Sequence, residues 1–478
     1  MKAANRLRVF TFETDGGQAI DDDRGEVLGG HRMRTRSLSA AMALLCCATS
    51  APAVLAAPAK SEASAGAAIE ASIRHDWPEL DALYRDLHAN PELGFQERRT
   101  AALLAARMRA LGFTVTEGVG GTGIVALYRN GAGPVVMVRT ELDALPMQEK
   151  TGLPYASQQQ ATGADGTKTF VAHSCGHDNH MAWWLGTAEA LLAMKDRWHG
   201  TLMFIGQPSE ETVRGAKAML ADGLFTRFPK PDYAFAAHVG SAPVGTVSVK
   251  DGVVSSNSDS AELIFHGRGA HGSMPSASID PVVMGAHFVS DVQSVISRQK
   301  DAGAFGVVTV GSFHAGTVGN IIPDTAILKL SLRSFSPEIR ALLRDGVTRT
   351  ANAVAAMAAA PAPEIKWGGG TSAVTNDHAL VEKVGAMLRA GDSTDTIEMV
   401  PATVPGWSAS EDFSAFVEAG VPGVYFSIGG YDPAVIAAYK AKGEPVPTNH
   451  SPYFAPDHAK AIPTGIRTLT LAVLAVAG

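Results

Sequence analysis

The chain has little cysteine: three residues in 478, and two of them, Cys46 and Cys47, lie in a segment expected to be removed. Cys175 is then the one thiol left, so no internal disulfide framework is expected. Positive charge is also in deficit, with 40 Lys and Arg against 47 Asp and Glu and a net charge of −7. Without a basic excess, nucleic acid and anionic membrane surfaces are excluded as natural partners. Internal repeats are missing. Near the C-terminus the apolar run Thr468–Ala477 is too short to span a bilayer and follows Arg467.

The N-terminal text is unlike the rest. Met33-Arg34-Thr35-Arg36 is a charged start, Leu38 to Leu55 is mostly apolar, and small residues follow, the order of a secretory signal peptide over 33–57. Val54 and Ala56 occupy the positions a cleavage site needs, which puts the cut after Ala56 or Ala57. An uncut N-terminal anchor is the alternative, and Ser50 and Pro52 interrupt the run against it. Cys46 does not follow the small residue that a lipidation site requires. Residues 1–32 are polar, acidic in the middle and without periodicity, and read as a non-native upstream extension with Met33 as the true start. Removing residues 1–57 takes seven Lys/Arg and six Asp/Glu, leaving 33 against 41 and a net charge of −8. A periplasmic or secreted protein, free of the membrane after cleavage, is expected.

The remaining length exceeds one ordinary core and predicts two domains. After an Ala/Ser/Gly-rich lead-in over Ala57–Ala67, expected to be flexible, the pattern is α/β. Leu80, Leu83, Tyr84 and Leu87 recur at helical spacing up to Asn90-Pro91, and a second helix over Arg98–Leu111 closes at Gly112. Strands are expected at Gly123–Tyr128 and Val135–Arg139, linked by an Asn130-Gly131 turn, then at Thr201–Ile205 and Tyr233–Ala237. A helix over Asp178–Met194 precedes the third of these. The chain then changes character. Strands at Ala261–His266, Gly306–Phe313, Thr325–Phe335 and Glu364–Trp367, with helices at Ile279–Arg298 and Pro337–Ala359, make a βαββαβ series, a ferredoxin-like unit able to fold as an insert. It would occupy 257–368, between catalytic segments 67–256 and 369–478. The α/β pattern returns with a helix at Ser410–Ala419 and a strand at Gly423–Ile428.

The chemistry concentrates in His173-Ser174-Cys175-Gly176-His177-Asp178-Asn179-His180, three imidazoles and a thiol in eight residues. Each can bind a transition metal. Gln207-Pro208-Ser209-Glu210-Glu211 follows, a carboxylate pair just after an apolar strand. Metal ligands beside a carboxylate base are what metal-assisted hydrolysis requires. In an open α/β sheet, ligands gather beyond the carboxyl ends of strands. Glu210 and Glu211 sit there, His238 directly follows Tyr233–Ala237, and Cys175 and His177 precede a helix that Asp178 is placed to cap. Duller readings stand beside these. A lone cysteine is usually a buried inert thiol, His180 can simply face the core, and the Glu pair can be a solvated loop.

Further ordered motifs are Asp86-Leu87-His88-Ala89-Asn90-Pro91-Glu92-Leu93-Gly94-Phe95, Asp143-Ala144-Leu145-Pro146, Gly269-Ala270-His271-Gly272-Ser273-Met274-Pro275, Gly319-Asn320-Ile321-Ile322-Pro323-Asp324, Ser410-Glu411-Asp412-Phe413 and His450-Ser451-Pro452. From about Leu80 to Leu474 the chain resembles the amidohydrolase branch of the dinuclear-metal carboxypeptidase and aminoacylase family. That branch includes the auxin-conjugate, hippurate and aminobenzoyl-glutamate hydrolases. The resemblance implies an aminopeptidase-like α/β catalytic domain with the insert as lid and dimerisation domain, hence a homodimer. It implies metal ligands at Cys175, His177, Glu211, His238 and His450, with Cys175 bridging two divalent ions (zinc, manganese, cobalt or nickel). Glu210 would be the general base and acid, and His271 would stabilise the oxyanion. Asn320 and Arg333 would hold the substrate's carbonyl and carboxylate. His450 alone would pass for a surface histidine, and Arg333 for an ordinary strand residue. The chain departs from the pattern at Arg139-Thr140-Glu141, where Arg-Ala-Asp is usual, at Asn179 in place of a glycine, and at Trp183-Trp184, read as helix packing.

The expected reaction is hydrolysis of the amide bond of an N-acyl-amino acid by metal-activated water with Glu210 as base. A carboxypeptidase or dipeptidase on the same site, with a dipeptide substrate, is the nearest rival. A cysteine hydrolase using Cys175 and a non-catalytic metal-bound receptor are the others.

Overall fold

The computed structural model describes residues 62–392 and 394–478; the expected upstream extension, signal peptide and cleavage site lie outside them. Eight strands form the main sheet, in the order Thr114–Val119, Gly123–Asn130, Gly200–Gln207, Val135–Glu141, Tyr233–Pro243, Gly423–Tyr431, Thr246–Lys250 and Thr396–Val400. Val135–Glu141 runs parallel to both of its neighbours, and Tyr233–Pro243 is parallel to Gly423–Tyr431. Gly123–Asn130 is antiparallel to Gly200–Gln207, which lies between it and Val135–Glu141. The Asn130-Gly131 turn therefore connects these two strands without pairing them.

Strand alternation sorts side chains into two cores, as a sheet covered on both faces requires. Leu202 and Phe204 enter one core while Met203 and Ile205 enter the other. Ile124 and Ala126 oppose Val125, and Val136 and Val138 oppose Met137, in the same way. The first core is closed by the helices Glu62–Ala89, His177–Ala193, His378–Gly391 and His458–Ala477. The second is closed by the short helices Gly215–Ala221 and Ser414–Glu418.

Several expectations shift. The lead-in expected to be flexible as far as Ala67 is helical from Glu62. The helix expected over Ser410–Ala419 shrinks to Ser414–Glu418, because the Glu411 carboxylate accepts the Phe413 N–H instead of leaving that turn helical. Parallel pairing carries the Tyr233 strand on past Ala237, so His238 lies inside it opposite Ser427. The apolar C-terminal run belongs to a 20-residue helix, long and apolar enough to cross a membrane, but 72% of that apolar window is buried inside the protein. Its Arg467 pairs with Asp395 and Glu70. This helix crosses His177–Ala193 closely: a Cβ on Gly465 would lie 2.4 Å from the Trp183 ring, and one on Gly186 2.4 Å from Ile466. Trp183 and Trp184 are fully buried packing residues.

Residues Asp259–Trp367 form a separate antiparallel sheet, in the order Gly306–Ala315, Thr325–Ser334, Asp259–His266, Glu364–Trp367. Helices Pro281–Asp291 and Pro337–Met357 pack on it around Leu263, Phe265, Phe288, Leu328 and Val347. Asp280 and Ser336 cap these helices by accepting backbone N–H groups. The first helix stops at Asp291, with a wider turn at Val295–Gln299 in place of continuous helix to Arg298. The entering and leaving chains run side by side, where Ser258 and Thr371 exchange backbone hydrogen bonds of 2.9 and 3.0 Å.

A buried ion triad ties the first helix to the metal-motif helix. His88 Nδ1 is 2.6 Å from Asp178 and Nε2 is 3.0 Å from Glu149. Asp178 therefore serves His88 and does not cap; Gly176, at φ 92°, is the N-cap. Burial opposes the imidazolium, but the two carboxylates win and raise His88 to about 10.

Two outcomes follow for stability. Gly465→Val forces a branched side chain against the rigid Trp183 ring and is expected to cost roughly 1–3 kcal/mol, read by urea unfolding. His88 has a folded pKa of about 10 against an ordinary 6.5, so its triad stabilises fully below about pH 6.5 and is lost as pH rises through about 10. His88→Leu should lower stability at neutral pH and flatten the alkaline decline seen in the parent protein.

Candidate active site

Four chain segments converge at one end of the main sheet. After Gly200–Gln207 the chain turns at Ser209, a non-glycine residue at φ 52°. Glu97 holds that turn, accepting the Ser209 N–H at 2.8 Å and the Thr122 hydroxyl at 2.5 Å. Burial, with Asp143 nearby, raises Glu97 to about 7. The turn presents Glu210 and Glu211. Gly176, at φ 92°, lets the Cys175 loop press on the His238 strand, since a Cβ there would lie 2.4 Å from Val239. His450 comes from the fourth segment and is itself at φ 68°. Backbone strain of this kind persists only where surrounding contacts over-determine it.

The His177 and His238 rings are each oriented by a backbone acceptor. His177 Nδ1 donates to the Asp143 carbonyl at 2.8 Å, and His238 Nδ1 donates to the Val239 carbonyl at 2.8 Å. Both Nε2 atoms thus face the site. His238 Nε2 is 3.4 Å from Cys175 Sγ, and His450 Nε2 is 3.2 Å from Glu211. Glu210 and Glu211 each lie 4.0 Å from His177 Nε2. Of five donor groups among the described residues with atoms within 4.8 Å of one another, three are built from these side chains: Cys175/His177/His238, Cys175/Glu211/His450 and His177/Glu210/Glu211; the others are Glu141/His177/His180 and Glu210/Glu411/Asp412. Cys175 belongs to the first two, so the donors describe two adjacent centres with the thiol common to both. Among the buried atoms that no protein group satisfies are His177 Nε2 and Glu211 Oε1. Unpaired buried polar atoms are costly, and a mixed thiolate, imidazole and carboxylate set suits zinc-like divalent ions. The residues fit a pair of such ions.

The charge balance points the same way. Arg139, fully enclosed, donates to Glu141, to Glu411 at 2.7 Å, to Asp412 at 3.1 Å and to Gln207 at 2.9 Å. Tyr425 adds a hydrogen bond to Glu411 at 2.5 Å. Burial, then Glu411 and Glu211, push the Glu210 carboxyl well above its usual range. Burial alone would raise Glu211, but His450 and His177 hold it low. Burial lowers His177, yet the surrounding carboxylates raise it to about 10, a measure of the negative charge that collects there.

The remaining expected residues are placed as follows. His180 faces the core: Nδ1 donates to Glu141 at 2.9 Å, Nε2 accepts the Val239 N–H at 3.0 Å, and the ring stacks on Trp183. Glu141, one methylene longer than the usual residue, spans from His180 to Arg139. His173 is buried with both ring nitrogens lacking a protein partner. His271 lies on the insert, exposed, with Nδ1 accepting from the Ser273 N–H at 3.1 Å. Asn320 is exposed, and Arg333 is half-buried with one terminal nitrogen unpaired. His271 joins none of the donor groups among the described residues.

Sequence reasoning missed the supports: Glu97, Asp143, Arg139, Glu411 and Asn449. Asp143 accepts the Glu211 N–H at 3.0 Å as well as orienting His177. Its motif was legible, its role was not, because that role is a backbone contact across 34 residues. Arg139→Met would strand several buried carboxylates and is expected to cost roughly 3–5 kcal/mol. Urea unfolding of the metal-free protein should show a smaller loss at pH 5 than at pH 8, where more carboxylates are ionised.

Comparison with known proteins gives the family. Residues 137–475 match the model of peptidase family M20/M25/M40. A hippurate hydrolase of Campylobacter jejuni is 37% identical over 285 residues, 58% of this chain and 70% of that protein. An N-acetylcysteine deacetylase of Bacillus subtilis is 34% identical over 72% of this chain and 86% of its own length. A crystal structure of a dinuclear metal-binding peptidase of family M20 from Bacillus subtilis superposes with a TM-score of 0.66 at 28% identity, covering 84% of this chain and 99% of the other. With its sheet, its clustered donors and this match over more than half its length, the chain belongs to peptidase family M20/M25/M40 and is a hydrolase of amide bonds.

Proposed function

We propose that this protein cleaves the amide bond of N-acyl-amino acids with two divalent cations held by Cys175, His177, Glu211, His238 and His450. The observation that carries the reading is the pair of donor groups sharing Cys175, with Glu210 alongside. The similar hippurate hydrolase and N-acetylcysteine deacetylase support the substrate class, and the similar dinuclear peptidase supports two ions. Bound there, the cations supply Lewis-acid activation of water and of the scissile carbonyl. Zinc, manganese, cobalt and nickel all suit the donors.

Glu210 carries the proton. Its buried carboxylate, with a raised affinity for protons, takes one from the attacking water and delivers it to the leaving nitrogen. His271 is assigned to the developing oxyanion. Its Nδ1 is engaged as an acceptor by Ser273, so Nε2–H is the free donor. It reaches the site by closure of the insert or from a partner subunit. Arg333, with its unpaired nitrogen, is assigned to the substrate carboxylate, where a guanidinium fork binds bidentately. Asn320 is assigned to the substrate carbonyl. A homodimer through the insert is supported by exposed Val282, Val318 and Ile321, which line one depression beside Ala315 at the end of its outer strand. Export is supported by the signal-like 33–57 segment.

A cysteine hydrolase fits less well. A nucleophilic thiol needs a lowered pKa, whereas burial, Glu211 and Glu210 push Cys175 well above the ordinary range.

The test is hydrolysis of N-acetyl and N-benzoyl amino acids, aminobenzoyl-glutamate and dipeptides by metal-stripped protein before and after each metal is restored. Acyl-amino-acid cleavage is expected to return with metal. Glu210→Gln should lower kcat by roughly 10²–10⁴-fold with metal content unchanged. Cleavage confined to dipeptides would convert the reading to a dipeptidase, and activity that survives stripping would sink the metal mechanism.

A further inference from the structure

The five donor residues sit on chain segments far apart in sequence, and their relative placement needs a physical tie. Helix and sheet hydrogen bonds do not supply it, because His450 lies in a loop and its side chain is 58% exposed. Its backbone, at φ 68°, is in the left-handed region that a residue with a Cβ adopts only under restraint. One restraint is the His450 N–H, which donates to the Ser174 carbonyl at 2.8 Å. The second is the neighbouring side chain. Asn449 Nδ2 donates to the Cys175 carbonyl at 2.9 Å and to the Val239 carbonyl at 3.0 Å.

These two acceptors are not ordinary backbone. One belongs to Cys175, the donor common to both centres. The other is the carbonyl that also accepts His238 Nδ1–H and so fixes which nitrogen of that ring faces the site. A single primary amide thus joins the Cys175 loop, the His238 strand and the His450 loop, using both of its hydrogens. Only an amide of this length offers two donors from one nitrogen here; aspartate has the same shape and none.

We propose that Asn449 is a positioning residue that sets the spacing of the two metal centres by clamping three of the four donor segments together. The proposal rests on the dinuclear reading above. Groups that orient metal ligands from outside typically change affinity by about 10–100-fold when removed, and the effect should fall on the centre that includes His450.

The experiment compares the parent protein with Asn449→Asp and Asn449→Ala, loading each with zinc and titrating with a chelator while bound zinc is counted. The parent is expected to hold two zinc ions. Both variants should release one of them at about 10–100-fold lower chelator strength, while the urea midpoint of the metal-free protein stays near that of the parent. Weakening in both variants separates loss of the donors from the new charge that aspartate adds. Two ions held as tightly as in the parent would overturn the proposal. A large fall in the metal-free urea midpoint with unchanged zinc release would also overturn it, since Asn449 would then hold the fold and not the centres. If the parent itself bound no zinc, manganese, cobalt or nickel, the dinuclear reading would fall and the proposal with it.

Discussion

Buried negative charge is the constraint on which this structure turns. Glu141, Glu210, Asp143, Glu411 and Asp412 are all enclosed at one end of a sheet, where an uncompensated carboxylate is expensive. Arg139 answers part of that charge with three carboxylate contacts. The rest gathers around His177 and Cys175, where buried donor atoms have no protein partner. A site with this imbalance fits divalent cations, which its thiolate, imidazole and carboxylate donors can hold. Folding and cofactor binding are therefore linked: what makes the site costly to build is what makes it bind.

Architecture and site share the same elements. The parallel central strands bury both faces and leave their ends to carry polar side chains. Gln207 and His238 belong to those strands, and Glu210 follows directly through a strained turn held by Glu97. The close helix crossing at Gly465 and Gly186, and the His88 triad, fix the helix on which His177 begins. Rigidity is concentrated beneath the donors. The His450 side chain, by contrast, is 58% exposed.

The insert carries different chemistry. Its core is its own, its connections are two adjacent strands of chain, and of its polar candidates His271 and Asn320 are exposed while Arg333 is half-buried. Catalytic groups on a mobile or partnered unit complete a site only when the unit closes. That division puts the donor groups on the main sheet and His271, Asn320 and Arg333, to which substrate roles are proposed above, on the insert.

The sequence by itself determined the α/β class, the βαββαβ insert and the identity of Cys175, His177, Glu210 and Glu211 as a group. Strand periodicity and local motifs are short-range properties, and they survive without coordinates. It also ordered the duller alternatives correctly for His180 and the two tryptophans, since a helix with apolar residues on every side must be buried. Only the tertiary structure decided where the strand carrying His238 ends, because its pairing with Gly423–Tyr431 joins segments almost 190 residues apart. The same holds for the roles of Arg139, Glu97, Asp178 and Asn449. Each acts through a contact with a residue distant in the chain, and a long-range hydrogen bond leaves no spacing for sequence to show.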